Sequence, residues 1–289
     1  MNADLTDLTR RAAFASHRLI GWIYWDPIGM KNYEALGVPD GLGYYVATRA
    51  APLASAGNST VTAAFFSIDH TFISTALDLC REHTTFEAAA HARDEAVKAG
   101  LSQYTPEICS PLARMANDLW DVADGLPVSG RPLYAAHRDW PRPADPLLAA
   151  WLAINCIREW RGDTHWAMLL AEELDATMCG VLDGAWRAYE GDWLARSRGS
   201  DDSALSDAYA SLAERGLASG HTVNAAGVAY RQDLEDRIDR IAQTPWRLLG
   251  EERAEALLKV IEPVGGRLME RIDETAGPQW MPAGRSRPD

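Results

Sequence analysis

The sequence has little lysine, no paired cysteines and no long apolar run. Lysine occurs only at Lys31, Lys98 and Lys259, so arginine carries nearly all of the positive charge. The four cysteines lie far apart without a Cys-x-x-Cys pair, a pattern typical of small buried residues rather than of zinc or disulfide frameworks. No apolar stretch approaches the roughly 20 residues of a membrane-spanning helix, and the first residues lack the features of a secretory leader. We therefore expect a cytoplasmic protein that does not span a membrane.

Positive charge is also in deficit. The 289 residues include 28 Lys plus Arg against 41 Asp plus Glu, which gives a formal net charge of −13. An acidic surface repels phosphate backbones, so we do not expect nucleic acid as a partner. Alternation of apolar and polar residues with period two is scarce, whereas apolar residues at helical spacing are frequent. The sequence therefore predicts a mainly α fold with minor β structure.

Sequence signatures of several enzyme classes are missing as well. The chain contains no Gly-x-Ser-x-Gly elbow, no P-loop and no Gly-x-Gly-x-x-Gly fingerprint. It also contains no His-Glu-x-x-His pair and no EF-hand loop. We therefore expect no cofactor and no metal. An enzyme with this sequence would work with positioned acid and base groups in an aromatic pocket.

The pattern of proline and apolar residues divides the chain into two helical halves. Residues 1–123 form an N-terminal helical half, residues 124–146 are a proline-rich linker, and residues 147–289 form the C-terminal half. In the second half, a helix from Ser203 to Arg215 precedes a short HTV segment. Asn224 then caps a long helix over residues 225–241.

This order resembles the MarR-like winged-helix family, in which a recognition helix ends in ERGL, a β wing follows and a T-x-x-G turn opens a long helix. Glu214–Leu217 supplies the first element and Asn224–Gly227 a variant of the last. Four further segments resemble an actinobacterial group of helix-turn-helix proteins: TRAAPL (48–53), GRPL (130–133), RGDTHWA (161–167) and TPWRLLG (244–250). The resemblance implies a winged-helix element in the C-terminal half, a homodimer and the reading of DNA.

The residues at the place of the recognition helix do not favour DNA reading. Such a helix needs side chains that donate hydrogen bonds to phosphates and base edges. The stretch DDSALSDAYASLAERG offers four carboxylates against Arg215 alone. We therefore expect a helix-turn-helix fold that serves as the scaffold of a cavity, because fold does not fix function.

The densest polar cluster in an apolar region is the stretch 158–166, REWRGDTHW. On a helix, Arg161 and His165 share one face at i,i+4 spacing. Such groups could form an internal ion-pair network that fixes two helices together. Alternatively, Asp163 or His165 could act as an acid or base beside Arg161 as an anion clamp. A metal site is a third interpretation, but the spacing lacks His-x3-His or Glu-x2-His.

A second candidate region surrounds Arg49, which follows Tyr44 and Tyr45. An arginine among glycine, tyrosine and small residues could bind a substrate carboxylate through both guanidinium edges, or could cap the carbonyls of a neighbouring helix. The pair Asp69–His70 could be an oriented acid/base pair, but the sequence favours Asp69 as the cap of a helix.

Aromatic residues suggest the walls of a pocket. Tyr24 and Trp25 end the first helix near a glycine- and proline-rich region, and Trp166 closes the polar cluster. The eleven tryptophans could pack in the core, or their flat apolar rings could line a ligand pocket.

These patterns favour a small-molecule-binding protein of bacterial specialised metabolism. The specific hypothesis is a cofactor-independent enzyme that condenses, cyclises or isomerises an aromatic or amino-acid-derived substrate. Its catalytic residues would be Asp163, His165 and His70, and its substrate-binding residues would be Arg49, Arg161, Tyr24, Trp25, Tyr45 and Trp166. The alternatives are a ligand-responsive MarR-like transcription regulator and a resistance protein that sequesters a metabolite.

Overall fold

The computed structural model describes residues 5–287, which are mostly helical, as the sequence predicts. In the first half the helices are α1 Thr6–Gly21, α2 Pro27–Glu34, α3 Tyr44–Ala50, α4 Asn58–Phe65, α5 His70–His83, α6 Phe86–Tyr104, α7 Pro106–Arg114, α8 Ala116–Gly125 and α9 Pro132–Asp139. The remaining helices are α10 Pro146–Ala171, α11 Ala176–Trp186, α12 Trp193–Arg196, α13 Asp202–Glu214, α14 Ala225–Ile241, α15 Thr244–Leu249, α16 Glu251–Ile261 and α17 Gly265–Thr275.

Short polar side chains start many of these helices, because the first backbone N–H groups of a helix need acceptors. Asp26 accepts a hydrogen bond from the N–H of Ile28 and precedes Pro27, so the chain turns from α1 into α2 at the predicted place. Asn224 accepts from the N–H of Gly227 and caps α14, whose bounds of 225–241 confirm the prediction.

The β structure within the described residues is a single hairpin between α13 and α14. Strand β1 (Ala218–Ser219) pairs antiparallel with β2 (Thr222–Val223), with Ala218 opposite Val223. Gly220 lies in the tight turn with a φ of +56°, in the left-handed region that glycine adopts at little cost. The mainly α class is therefore confirmed, and the winged-helix likeness of α13, β1, β2 and α14 stays a prediction.

Helix α10 is the central element of the fold. Its 26 residues extend over roughly 39 Å and pack against α1, α7, α8, α9 and α14. The indole N–H groups of Trp151 and Trp160 donate to the carbonyls of Leu19 and Pro127, so both buried rings are fixed by polar contacts as well as by packing. Despite this apolar character, none of the helices within residues 5–287 is long and apolar enough to cross a membrane.

The proline-rich segment 124–146 is packed rather than extended. It contains α9, whose Leu133, Tyr134 and His137 are buried, and the Tyr134 hydroxyl bonds the carbonyls of Ala123 and Leu126. The largest apolar core also contains residues from both sides of this segment, from α1 to α17. The division into two halves with a linker stays a prediction, and α9 gives this segment a structural role beside α10.

Candidate functional site

A cavity of about 1300 Å³ lies between α1, α3, α10, α11 and α14. Ligand sites usually enclose roughly 300–1,000 Å³, so this space could hold a bulky molecule. Many aromatic side chains line it: Phe14, Tyr24, Trp25, Tyr44, Tyr45, Phe65, Phe72, Trp166, Trp186, Trp193 and Trp280. The tryptophans are therefore divided between the core and a pocket wall.

The charged residues of the cavity lining have the opposite balance to the whole chain. Eleven of the lining residues are arginine: Arg10, Arg11, Arg49, Arg158, Arg161, Arg187, Arg196, Arg198, Arg231, Arg285 and Arg287. Six are carboxylates: Asp40, Asp69, Glu159, Asp183, Glu235 and Asp239. Four of these arginines, Arg10, Arg11, Arg196 and Arg285, also form ion pairs with carboxylates outside the lining.

Arg49 forms a bidentate ion pair with Glu159 from α10. Its Nε lies 2.9 Å from Oε1 and its Nη2 2.7 Å from Oε2, while Nη1 donates to the Tyr45 hydroxyl at 2.6 Å. Arg158 reaches the same carboxylate through Nη1 at 2.6 Å. The two guanidinium groups overcome the cost of burial and hold the pKa of Glu159 well below its usual range. The carboxylate that Arg49 binds is thus a side chain of the protein itself, Glu159, and not that of a substrate.

His17 joins this cluster from α1. Its Nδ1 accepts a hydrogen bond of 3.1 Å from the Nε of Arg158, so the neutral ring carries its proton on Nε2. Burial and the charge of Arg158 lower the pKa of His17 well below its ordinary value. His17 was not among the sequence candidates. It could have been found from the spacing of Arg10, Phe14 and His17, which share one face of α1.

A second network joins α10 to α14. The Nη2 of Arg161 donates to Glu235 and, at 3.0 Å, to Asp239. Arg231 bridges Glu235 at 2.9 Å and Asp183 of α11 at 2.9 Å. Although burial opposes ionisation of a carboxyl group, the arginines hold the pKa values of Glu235 and Asp183 well below their usual range. Arg161 therefore takes part in an internal ion-pair network and also faces the cavity.

His165 faces the cavity with its ring stacked on Trp166, at a centroid distance of 4.9 Å and an interplanar angle of 14°. Burial, reinforced by the nearby Arg231, lowers the pKa of His165 to about 3. Its Nε2 is buried and makes no hydrogen bond within residues 5–287. The ring is thus neutral at pH 7 and offers an unused polar atom at the cavity wall.

Asp163 and His70 lie apart from this cavity. The carboxylate of Asp163 is buried against α9, where Oδ2 accepts from the N–H of Tyr134 at 2.9 Å, and burial raises its pKa to about 7. His70 is exposed at the start of α5, and Asp69 caps that helix by accepting from the N–H of Phe72 at 2.9 Å. The structure does not bring these two residues together with the other site candidates, and the geometry at Asp69 is that of the capping alternative.

The other seven sequence candidates all line the cavity. They are Arg49, Arg161, His165, Tyr24, Trp25, Tyr45 and Trp166. Several residues that were not predicted as site residues line it too, among them His17, Glu159, Arg198 and Trp280. Within residues 5–287, no three His, Cys, Asp or Glu side chains lie where they could hold a metal ion together.

The segment after α17 closes one side of the cavity. Trp280 packs on Trp25 with ring centroids 4.3 Å apart, and the carbonyl of Pro282 accepts from Arg187 at 2.7 Å. The carbonyl of Gly284 accepts from the Nε of Arg18 at 2.7 Å, so this segment is bonded to α1 as well. Its position therefore depends on long-range contacts rather than on helix formation.

The outer face of α13 carries mostly negative charge. Asp202, Asp207 and Glu214 are exposed there, and Arg215 at its end donates to the Glu172 carbonyl and to the Tyr230 hydroxyl. A surface of this kind lacks the cations that supply non-specific affinity for a phosphate backbone. Weak DNA binding stays a prediction, and the charge of this face is the reason for it.

Comparisons with known proteins give one match. A family model described as a helix-turn-helix family matches residues 9–275, nearly the whole chain. Neither the curated proteins nor the solved structures give a match.

Proposed function

The chain belongs to the helix-turn-helix family, and on that premise we propose that it binds a small organic molecule in its aromatic- and arginine-lined cavity. The observation that carries this proposal is the cavity of about 1300 Å³ with its aromatic and arginine lining. Pockets of this kind bind ligands by burying apolar surface, and a few polar groups fix the orientation. The helix-turn-helix portion then serves as part of the cavity wall, because α14 contributes Arg231, Gln232, Glu235 and Asp239.

The protonation states in the cavity favour binding over proton transfer. General acid–base catalysis works best when the pKa of the catalytic group lies near the working pH. The pKa of His165 is lowered to about 3, and those of Glu159, Asp183 and Glu235 are held below their usual range. Each of these groups keeps one protonation state around pH 7, which suits fixed recognition of a ligand.

A neutral aromatic probe tests the proposal. N-phenyl-1-naphthylamine fluoresces strongly in apolar surroundings, and we expect saturable binding with one probe per chain. Gly162→Leu is the variant that fills the cavity, because a Cβ at Gly162 would have only the Glu159 carboxylate within 4 Å, at 3.6 Å. We expect this substitution to weaken probe binding at least tenfold.

The matched control is Gly266→Leu, an exposed glycine of α17 whose Cβ would meet nothing within 4 Å. It makes the same change in a helix outside the cavity and should leave binding unchanged. Probe binding that does not saturate, or that is equal in the two variants, would overturn the proposal.

A ligand-responsive transcription regulator is the second candidate. Two observations favour it, the family and the position of α14, which follows the hairpin directly and borders the cavity. A ligand that moves α14 would act on the hairpin and on α13. The test is a gel shift at low salt with the DNA upstream of the gene. We expect no shift at micromolar protein, and a specific shift that a cavity ligand abolishes would establish the regulator instead.

The enzyme hypothesis is a more specific version of the same proposal. It requires His165 to move protons while Arg161 or Arg49 holds an aromatic or amino-acid-derived substrate for condensation, cyclisation or isomerisation. With a bound metabolite identified, product analysis separates turnover from sequestration. Loss of turnover with retained binding in His165→Ala would support catalysis, whereas unchanged metabolite after prolonged incubation would support sequestration.

The homodimer also stays part of the proposal, because the chain has long apolar helices and its sequence resembles the MarR-like family. Light scattering coupled to gel filtration gives the mass directly. For a chain of 31.7 kDa we expect twice that value, and a mass of one chain would contradict the dimer.

A further inference from the structure

Arg198 differs from the other arginines of the cavity. Each of the other ten makes at least one side-chain hydrogen bond or ion pair, whereas within residues 5–287 the Arg198 guanidinium makes neither. Its backbone is nevertheless fixed. The N–H of Arg198 donates to the carbonyl of Ala195 at 3.1 Å, and its carbonyl accepts from the N–H of Asp69 at 2.8 Å. A held backbone with an unused cationic end is the arrangement of a preorganised anion site.

Among the lining residues on α3, α10, α11 and α14 and in the connections after α11 and α12, positive groups outnumber negative ones. Six arginines, Arg49, Arg158, Arg161, Arg187, Arg198 and Arg231, face four carboxylates, Glu159, Asp183, Glu235 and Asp239. All four carboxylates form ion pairs with the other five arginines, Arg49, Arg158, Arg161, Arg187 and Arg231. Burial lowers the pKa of Arg198 somewhat, but an arginine stays charged in proteins. Within residues 5–287 no carboxylate forms an ion pair with Arg198, and Asp183, which acts on it electrostatically, is itself paired with Arg187 and Arg231.

An aromatic surface lies beside Arg198. Trp25 is stacked on Tyr45 at 6.3 Å and contacts Trp280 at 4.3 Å, and Trp280 meets the edge of Trp193 at 5.3 Å. Trp193 opens α12, and Arg198 follows that helix by two residues. Asp183 and, more weakly, Tyr45 are close enough to interact electrostatically with Arg198. Flat apolar area and a free cation thus lie in the same part of the cavity.

We propose that the cavity ligand is an organic anion whose negative group binds the Arg198 guanidinium and whose flat apolar body packs on Trp25, Tyr45 and Trp280. The proposal rests on the proposed function, since it assigns the ligand class of the same cavity. A carboxylate, sulfonate or phosphate would satisfy the guanidinium through charge-assisted hydrogen bonds.

Two probes with one aromatic scaffold test the assignment. The compound 8-anilino-1-naphthalenesulfonate is the anionic probe, and N-phenyl-1-naphthylamine is its neutral counterpart without the sulfonate. Calorimetric titration of the full chain with each probe should show at least tenfold tighter binding of the anion. The preference should fall as salt is raised.

Variants at Arg198 assign the preference to one side chain. Arg198→Gln should weaken binding of the anionic probe at least tenfold and change binding of the neutral probe by less than twofold. Arg198→Lys should recover part of the preference, because it keeps the charge but not the planar fork. Arg253→Gln removes an exposed arginine of α16 outside the cavity and should change neither probe. The Arg198 side chain has no partner to lose, so the thermal midpoint should not fall.

The outcomes separate the two proposals. If the neutral probe binds as tightly as the anion, or if Arg198→Gln leaves the preference intact, the anion assignment is overturned and the cavity proposal stands. If neither probe binds, both proposals are overturned.

Discussion

The cavity lining and the outer face of α13 carry opposite charge within one chain. Arginines outnumber carboxylates in the lining, whereas Asp202, Asp207 and Glu214 dominate the exposed helix. The net charge of −13 belongs to the whole chain and does not give the balance of charged residues in the cavity lining. For this chain, a functional inference has to be made region by region, because a field acts mainly within the roughly 8–10 Å of a Debye length.

We expect the largest loss of stability from a substitution that breaks the charge pairing in the cavity. Glu159→Gln leaves Arg49 and Arg158 without their shared carboxylate, and Glu159 is only 1% exposed. An uncompensated buried charge costs about 3–5 kcal/mol, so urea denaturation should show a loss of that size.

The control for Glu159→Gln is Asp202→Asn on α13, which breaks an ion pair with Arg196 whose side chains are 89% and 50% exposed. Exposed pairs contribute about 0–1 kcal/mol, so this variant should unfold almost like the parent. Equal losses in the two variants would remove the distinction between interior and surface.

The second prediction concerns Asp163, a buried carboxylate that faces α9 without an arginine partner of its own. Burial raises its pKa from 3.8 to about 7. The stability that the protonated carboxyl contributes is therefore fully present below pH 3.8 and is lost as the pH rises through 7. Asn stays neutral throughout, although it buries an extra donor. The free energy of unfolding of Asp163→Asn, relative to that of the parent, should therefore rise by about 2 kcal/mol between pH 5 and pH 8.

Urea denaturation at a series of pH values measures this difference. Asp121→Asn, which changes an exposed carboxylate of α8, is the matched control and should give a flat difference. A flat profile for Asp163→Asn as well would show that burial does not hold the proton on Asp163.

We expect the smallest effect, a gain in affinity for DNA, from substitutions that reverse the charge of the outer face of α13. Asp207, Ala210 and Glu214 are exposed on one side of α13, and the triple variant Asp207→Lys, Ala210→Lys, Glu214→Lys adds five positive charges. If charge is what prevents DNA binding, non-specific affinity at low salt should rise at least tenfold, or about 1.4 kcal/mol. Fluorescence anisotropy with random duplex DNA measures it. No gain would mean that shape, not charge, excludes DNA from this face.

Much of the local structure could be predicted from the sequence. Asp26–Pro27 and Asn224 mark helix starts because short polar side chains satisfy free N–H groups locally. Contacts between distant segments could not be predicted in this way. Arg49 and Glu159 are 110 residues apart, and nothing in the sequence pairs them before the chain folds.

The position of Asp163 illustrates the same limit. Within one helix it lies a turn after Glu159, and the sequence groups both with Arg161 in a single polar cluster. Residues 132–139 of the proline-rich segment form α9, whose Tyr134 N–H donates to the Asp163 carboxylate away from the cavity. Arg198 lies in the short connection between α12 and α13, where no periodic pattern marks a residue as facing inward.

The size and polarity of the cavity have a consequence for the thermodynamics of ligand uptake. At roughly 30 Å³ per molecule, 1300 Å³ corresponds to on the order of forty water molecules, and the charged groups of the lining would hydrate readily. A ligand that packs on the tryptophan rings must displace many of them. Uptake should therefore be accompanied by a large negative change in heat capacity, and its enthalpy should become steadily more favourable on warming.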